Sequence, residues 1–127
     1  MKKLIRNASV LALGLFLAAF PAAAGTWNVD IHAGYWNNSF IPYEYYSTSY
    51  SAPSGATVAW YGYAYNGSGA FTHVYATAPG VYIDEYVYAN GWNSGQQNLT
   101  SAGNVSLFLE TGAYYGGSTG CGVTIAW

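Results

Sequence analysis

Basic residues are almost absent from this sequence of 127 residues, and the three present, Lys2, Lys3 and Arg6, all lie at its start. From residue 25 onward there is no Lys or Arg, while five acidic residues leave this part with a net charge of −5. The phosphate-neutralising contribution to nucleic-acid binding is therefore missing, and so is electrostatic attraction to anionic lipid. We expect no nucleic-acid partner.

The N-terminus combines these three basic residues with an apolar run at 10–20 and the small residues Ala22, Ala23 and Ala24. This order predicts a secretory signal peptide over 1–24, followed by one domain over 25–127. The apolar run is shorter than the ~20 residues of a transmembrane helix, so we expect no transmembrane span after cleavage. The expected location is extracellular or at the cell surface, with the periplasm as the alternative.

Cysteine is also scarce, because Cys121 is the one cysteine in the chain. An internal disulfide is therefore excluded. In an exported protein, an odd cysteine suggests an intermolecular disulfide or a free thiol. The other interpretation is a small hydrophobic side chain buried near the last strand.

Helical periodicity is missing after residue 25, and period-two alternation of apolar and polar residues recurs instead. This pattern predicts strands near 26–33, 40–50, 56–65, 70–77, 81–89, 105–110 and 122–127. An all-β fold follows: a single antiparallel β-sandwich of about seven short strands, or a small barrel. We expect the longest loop at Asn90–Gly103, and we expect the C-terminal strand to pair with another subunit.

Aromatic residues are abundant, with fourteen Tyr and five Trp. Cross-strand aromatic pairs stabilise sheets by themselves, but a core of this size cannot hide so many tyrosines. Several should therefore be exposed as contacts for a ligand or another subunit. The candidates are Trp36 and Trp92, with Tyr61, Tyr63 and Tyr65 on one strand face and Tyr82, Tyr86 and Tyr88 on another.

Few residues could support metal binding or catalysis. Asp30, His32 and His73 are weak metal candidates, because no motif supplies the three or four closely spaced ligands that a metal needs. Asp84 and Glu85 are adjacent and point to opposite faces of a strand, so they cannot act as a pair. Glu85 falls on the apolar face, either as a guard of a sheet edge or as a buried acid. We expect no cofactor and no enzymatic activity.

The sequence leaves three functional hypotheses. The first is a secreted structural or self-assembling protein, such as a fibre, matrix or coat subunit, whose partners are its own copies or other surface proteins. The alternative is a carbohydrate-binding, lectin-like module that contacts glycans with exposed Tyr and Trp. The third is a small secreted toxin or inhibitor.

Overall fold

The computed structural model describes residues 25–36, 39–65, 69–88, 90–113 and 117–127. The predicted signal peptide lies outside these residues. Within the described ranges, no helix is long and apolar enough to cross a membrane.

The described residues form nine β-strands. In chain order they are β1 Thr26–Trp36, β2 Ser39–Ile41, β3 Tyr43–Ala52, β4 Thr57–Tyr65, β5 Phe71–Ala78, β6 Val81–Tyr88, β7 Gly91–Asn98, β8 Gly103–Gly112 and β9 Ser118–Ala126.

These strands build two antiparallel sheets that pack face to face, which confirms the predicted all-β sandwich. Sheet A has the order β2-β1-β9-β4-β7, and sheet B has the order β3-β8-β5-β6. The described strands do not close into the small barrel considered as an alternative.

Two expectations about the strands were wrong. The single strand expected at 40–50 is divided into β2 and β3 by Pro42, which lacks the N–H needed for ladder pairing. The expected long loop at Asn90–Gly103 contains β7, which pairs with β4 in an unbroken register from Thr57↔Asn98 to Ala64↔Gly91.

Strand alternation places the apolar side chains of both sheets between them. In sheet B, Val74, Leu107 and Leu109 are buried, and in sheet A the inward residues include Val58 and Ile125. Each such aliphatic side chain contributes about 1.5–3 kcal/mol when fully buried. At one end of this core, the ring of Tyr50 stacks on Trp27 with centroids 5.0 Å apart and contacts Trp127 at 5.6 Å.

The opposite end of the interior is held by three buried threonines, Thr72, Thr111 and Thr119. The Thr72 hydroxyl donates a hydrogen bond to the backbone carbonyl of Tyr63 at 3.0 Å, and its oxygen lies 2.9 Å from the hydroxyl oxygen of Thr111. The Thr111 hydroxyl in turn donates to the hydroxyl of Thr119 at 2.6 Å. Because Thr72 and Thr111 belong to sheet B and Thr119 to sheet A, these bonds link the two sheets.

The C-terminal strand β9 lies inside sheet A, where it pairs with β1 on one side and β4 on the other. Its backbone donors and acceptors are therefore already used. The expectation that this strand adds to another subunit was wrong. The edges of sheet A are β2 and β7, and those of sheet B are β3 and β6.

We predict that Thr72→Val destabilises the protein, because it removes the hydroxyl that joins the sheets while keeping the side-chain shape. The expected loss is about 1–3 kcal/mol in the free energy of unfolding, measured by urea denaturation. Thr77→Val on the same strand is the control, because Thr77 is partly exposed on the outer face and should change stability by less than about 0.5 kcal/mol. Equal effects of the two substitutions would contradict the role of the threonine bonds.

Candidate functional site

The two tyrosine groups singled out from the sequence lie on opposite outer faces of the sandwich. Tyr61, Tyr63 and Tyr65 belong to β4 in sheet A, together with Trp92 of the neighbouring β7. Tyr82, Tyr86 and Tyr88 belong to β6 in sheet B. The two sheets separate the groups, so one small ligand cannot contact both.

On sheet A, the aromatic side chains form a stack that runs along β4 and reaches β7. Tyr61 lies 5.8 Å from Trp92 and 6.5 Å from Tyr63, and Tyr63 lies 5.4 Å from Tyr65 between ring centroids. Trp92 and Tyr65 are exposed, but Tyr61 is only 3% exposed and packs with its neighbours. This face therefore offers two separate exposed rings.

Glycines of β9 make room for this stack. A Cβ atom on Gly122 would come within 2.6 Å of the Tyr61 ring, and one on Gly120 within 2.9 Å of the Tyr63 hydroxyl. The rings thus cover the bare backbone of the central strand, as aromatic residues do beside glycines in other sheets.

The three weak metal candidates do not meet in one place. Asp30 and His32 lie on the outer face of sheet A, where their side chains are 3.3 Å apart, and His32 Nδ1 is 3.0 Å from the Tyr63 hydroxyl. His73 lies on the outer face of sheet B. Among the described residues, no group of three His, Cys, Asp or Glu side chains could hold a metal ion.

The outer face of sheet B carries a continuous aromatic surface, which we call the platform. The register brings residues of all four strands into rows, such as Tyr45, Glu110, His73 and Tyr86. Neighbouring rings have centroids between 3.9 and 6.5 Å apart. The aromatic members of the platform are Tyr43, Tyr45, Phe71, His73, Tyr75, Tyr82, Tyr86, Tyr88 and Phe108.

Five tyrosines of the platform have rings exposed to solvent. Tyr82 and Tyr88 are the most open, at 61% and 63%, and the others are Tyr43, Tyr45 and Tyr86. Tyr86 and Tyr88 are almost parallel, with an interplanar angle of 5° and centroids 5.8 Å apart. Tyr86 also covers His73, with centroids 3.9 Å apart and the same angle of 5°.

His73 links two carboxylates at the centre of the platform. Its Nε2 lies 2.7 Å from Asp84 Oδ1, and its Nδ1 lies 3.6 Å from Glu110 Oε2. The other oxygens of these carboxylates accept hydrogen bonds from tyrosines: Tyr43 donates to Glu110 Oε1 at 2.6 Å, and Tyr82 donates to Asp84 Oδ2 at 3.3 Å.

The carboxylates hold the neighbouring phenols in their protonated form. The hydrogen bond to Glu110, with burial and the carboxylate's charge, raises the pKa of Tyr43 to about 12. The charge of Asp84 raises the pKa of Tyr82, and burial followed by the charges of Glu110 and Asp84 raises that of Tyr86. The platform therefore presents neutral hydroxyl donors beside anionic acceptors.

A shallow open groove of about 460 Å³ borders the platform on the side of β3. Two aromatic rings, Tyr75 and Phe108, form part of its lining, together with the serines Ser47, Ser49 and Ser106. The groove therefore combines flat apolar surfaces with hydroxyl groups.

Three further sequence expectations concern single residues. Cys121 is fully buried, and burial raises its pKa well above the ordinary value, so an intermolecular disulfide would require the sheet to open. Glu85 is exposed on the edge strand β6, which excludes the buried-acid interpretation. Trp36 is the last residue of β1, and its expected contact role stays a prediction, because its side chain lies outside the described part of the structure.

Sequence reasoning grouped Tyr82, Tyr86 and Tyr88 on one face but missed the partners of this face. Tyr43, Tyr45 and Glu110 come from strands distant in sequence, and only the register of the sheet brings them beside β6. Alternation along β8 places Phe108 and Glu110 on one side, but it does not say which strands lie next to β8.

We predict that Glu110→Gln lowers the pKa of Tyr43 from about 12 towards the ordinary value of 10. The carboxylate favours the protonated phenol, so its removal makes ionisation easier as the pH rises. The change can be followed by NMR of the labelled tyrosine ring carbons during an alkaline titration. Glu85→Gln is the control, because it removes the same charge outside the platform. A Tyr43 pKa that is unchanged in Glu110→Gln would contradict the hydrogen bond.

The chain was also compared with known proteins. No protein-family model matches it, and a search of curated proteins finds no match either.

Proposed function

We propose that this protein is a secreted, non-enzymatic carbohydrate-binding protein whose ligand surface is the platform on sheet B. The observation that carries the proposal is the exposure of five tyrosine rings on one continuous sheet face. An aromatic ring suits the apolar face of a sugar ring, and a tyrosine adds a hydroxyl for hydrogen bonding.

The ring geometry supports stacking by a ligand. Tyr86 and Tyr88 are nearly parallel, and Tyr86 rests on His73, which limits its movement. Rings that are already held in place lose little conformational entropy when a ligand binds.

The polar groups around these rings match the hydroxyls of a sugar. Asp84 and Glu110 supply acceptors, because each carboxylate oxygen can accept more than one hydrogen bond. The phenols of Tyr43 and Tyr82 and the serines of the adjoining groove supply donors as well as acceptors.

Charge argues against the platform being a contact between two copies of this chain. Two platforms facing each other would bring together Asp84 and Glu110 from both copies, with no Lys or Arg after residue 24 to neutralise them. Removing unneutralised carboxylates from water is strongly unfavourable. A hydroxyl-rich ligand avoids this cost because it hydrogen-bonds to the carboxylates.

The size of the platform favours a chain of several sugars. Four strands are about 14 Å across, and eight residues of β6 extend about 27 Å at the usual spacings of a sheet. The five exposed tyrosines lie on the edge strands β3 and β6, and the less exposed rings of β5 and β8 connect them. An extended polysaccharide fits such a surface better than a single sugar in an enclosed pocket.

We predict that Tyr86→Ala combined with Tyr88→Ala lowers polysaccharide binding at least tenfold, because it removes the two parallel stacking rings. Binding is measured by co-sedimentation with insoluble glucans and chitin, using protein expressed from the full-length chain and purified from the exported fraction. Circular dichroism checks that each variant folds.

Trp92→Ala is the matched control, because it removes a ring of similar exposure from sheet A. It should leave binding unchanged. Loss of binding in Trp92→Ala with normal binding in the tyrosine variant would move the site to sheet A and contradict the proposal.

Self-assembly is the second candidate function, and the edge strand β7 supports it. β7 is eight residues long, lies at the edge of sheet A and contains no charged residue or proline. Such edges lack the charges that usually prevent pairing with another chain. In contrast, the Tyr82 backbone N–H and carbonyl on edge strand β6 already bond to the Gln97 side chain, at 2.9 and 2.8 Å.

If β7 pairs between copies, Gln96→Lys should prevent assembly, because it places charges on both paired edges. The measurement is the mass by light scattering as the protein concentration increases. Asn104→Lys is the control, because it adds the same charge to the inner strand β8. Reductant should have no effect, because the Cys121 thiol is buried. A monomer at every concentration would refute self-assembly.

A further inference from the structure

We infer that the platform selects a polysaccharide that carries primary ammonium groups, that is, an amino-sugar polymer. This inference rests on the proposed function and specifies its ligand class. It follows from the two carboxylates within the aromatic surface and from the absence of Lys and Arg from residue 25 onward to balance them.

Asp84 and Glu110 make the platform anionic. Their side chains are 38% and 20% exposed, so a ligand can reach both. Among the described residues, His73 is the one basic side chain in contact with them, and a single imidazolium could neutralise only one of the two charges. The platform therefore keeps a net negative charge even when His73 is protonated.

Aromatic rings next to these carboxylates also favour a cation. Tyr82 bonds to Asp84, and Tyr43 bonds to Glu110, so each carboxylate has an exposed phenol ring beside it. An ammonium group is attracted both to a carboxylate and to the face of an aromatic ring. Each carboxylate thus forms a position that suits one ammonium group.

The sugar-stacking part of the platform adjoins these two positions. The Tyr86 ring covers His73, which lies between Asp84 and Glu110, and Tyr88 continues the parallel surface. A sugar ring can stack there while its amino group or that of the next sugar meets a carboxylate. A lysine-rich peptide has ammonium groups but no flat ring to place on Tyr86 and Tyr88.

The same charges oppose acidic polysaccharides. Carboxylated or sulfated chains would approach a surface that carries Asp84 and Glu110 on a domain of net charge −5. Like charges in contact are unfavourable, and no basic group outside the two histidines can compensate from residue 25 onward.

Two oligosaccharides with the same backbone test the inference. The glucosamine hexamer carries ammonium groups at a pH at which they are protonated, whereas the N-acetylglucosamine hexamer carries neutral acetamides. Isothermal titration calorimetry on the exported protein should give about fivefold to tenfold tighter binding of the glucosamine hexamer, as expected for two partly exposed ion pairs. Added salt should reduce this difference.

The matched variants are Asp84→Asn and Glu110→Gln, with Glu85→Gln as the control. The first two should remove most of the preference for glucosamine, measured as the ratio of the two dissociation constants. Because each also loses a carboxylate that accepts hydrogen bonds from sugar hydroxyls, both hexamers should bind more weakly, the glucosamine hexamer by the larger factor. Glu85 lies next to Asp84 but points away from the platform. Glu85→Gln changes the net charge equally and should keep the preference.

Three results of these binding measurements would count against the inference. Equal binding of the two hexamers, or tighter binding of the acetylated one, overturns the amine preference and leaves the platform as a glycan site. If a lysine hexamer binds as tightly as the glucosamine hexamer, a peptide is the better ligand class and the inference is wrong. If no hexamer and no insoluble polysaccharide binds, both the inference and the proposed function fail.

Discussion

The antiparallel register of sheet B is the constraint on which the rest of the surface depends. Because side chains alternate across a strand, each inward Val, Ile or Leu leaves its neighbours on the outer face. The register then aligns Tyr45, Glu110, His73 and Tyr86 in one row across four strands. The same pairing that builds the apolar core therefore also assembles a continuous aromatic face from residues distant in sequence.

The lack of Lys and Arg from residue 25 onward determines how the acids of this face are held. With neither residue type among the described residues, Asp84 and Glu110 bond to tyrosine hydroxyls and face the two nitrogens of His73. Such contacts orient the carboxylates and leave their negative charge largely in place. The surface thus combines stacking rings with fixed acceptors, which is the chemistry proposed for binding sugars, and amino sugars in particular. Sheet A differs, because the exposed rings among its described residues, Tyr35, Tyr65 and Trp92, lie on three different strands, and Asp30 on its outer face is buried.

Local pattern was sufficient to predict the fold class. The alternating pattern of β8 agrees with the buried positions of Val105, Leu107 and Leu109. Prediction from the local pattern failed at β7, because this edge strand is rich in Gly, Asn and Gln. These residues give no alternation of apolar and polar positions, and they are depleted in strands. The platform was only partly predictable: Tyr82, Tyr86 and Tyr88 share a face by spacing alone, whereas their contact with Glu110 and Tyr43 depends on which strands are neighbours. Apolar and polar residues also alternate in the C-terminal strand, but alternation does not show which strands are neighbours. The sequence therefore could not place this strand at the centre of sheet A.

The central claim is that sheet B, and not sheet A, carries the ligand surface. It is tested most directly by recording amide NMR spectra of the labelled protein during a titration with a soluble oligosaccharide. The account predicts shifts concentrated on β5, β6 and β8 around His73, Asp84 and Glu110, with the amides of β7 unchanged. Shifts concentrated around Trp92 and Tyr65, or no shifts at a saturating concentration, would contradict it.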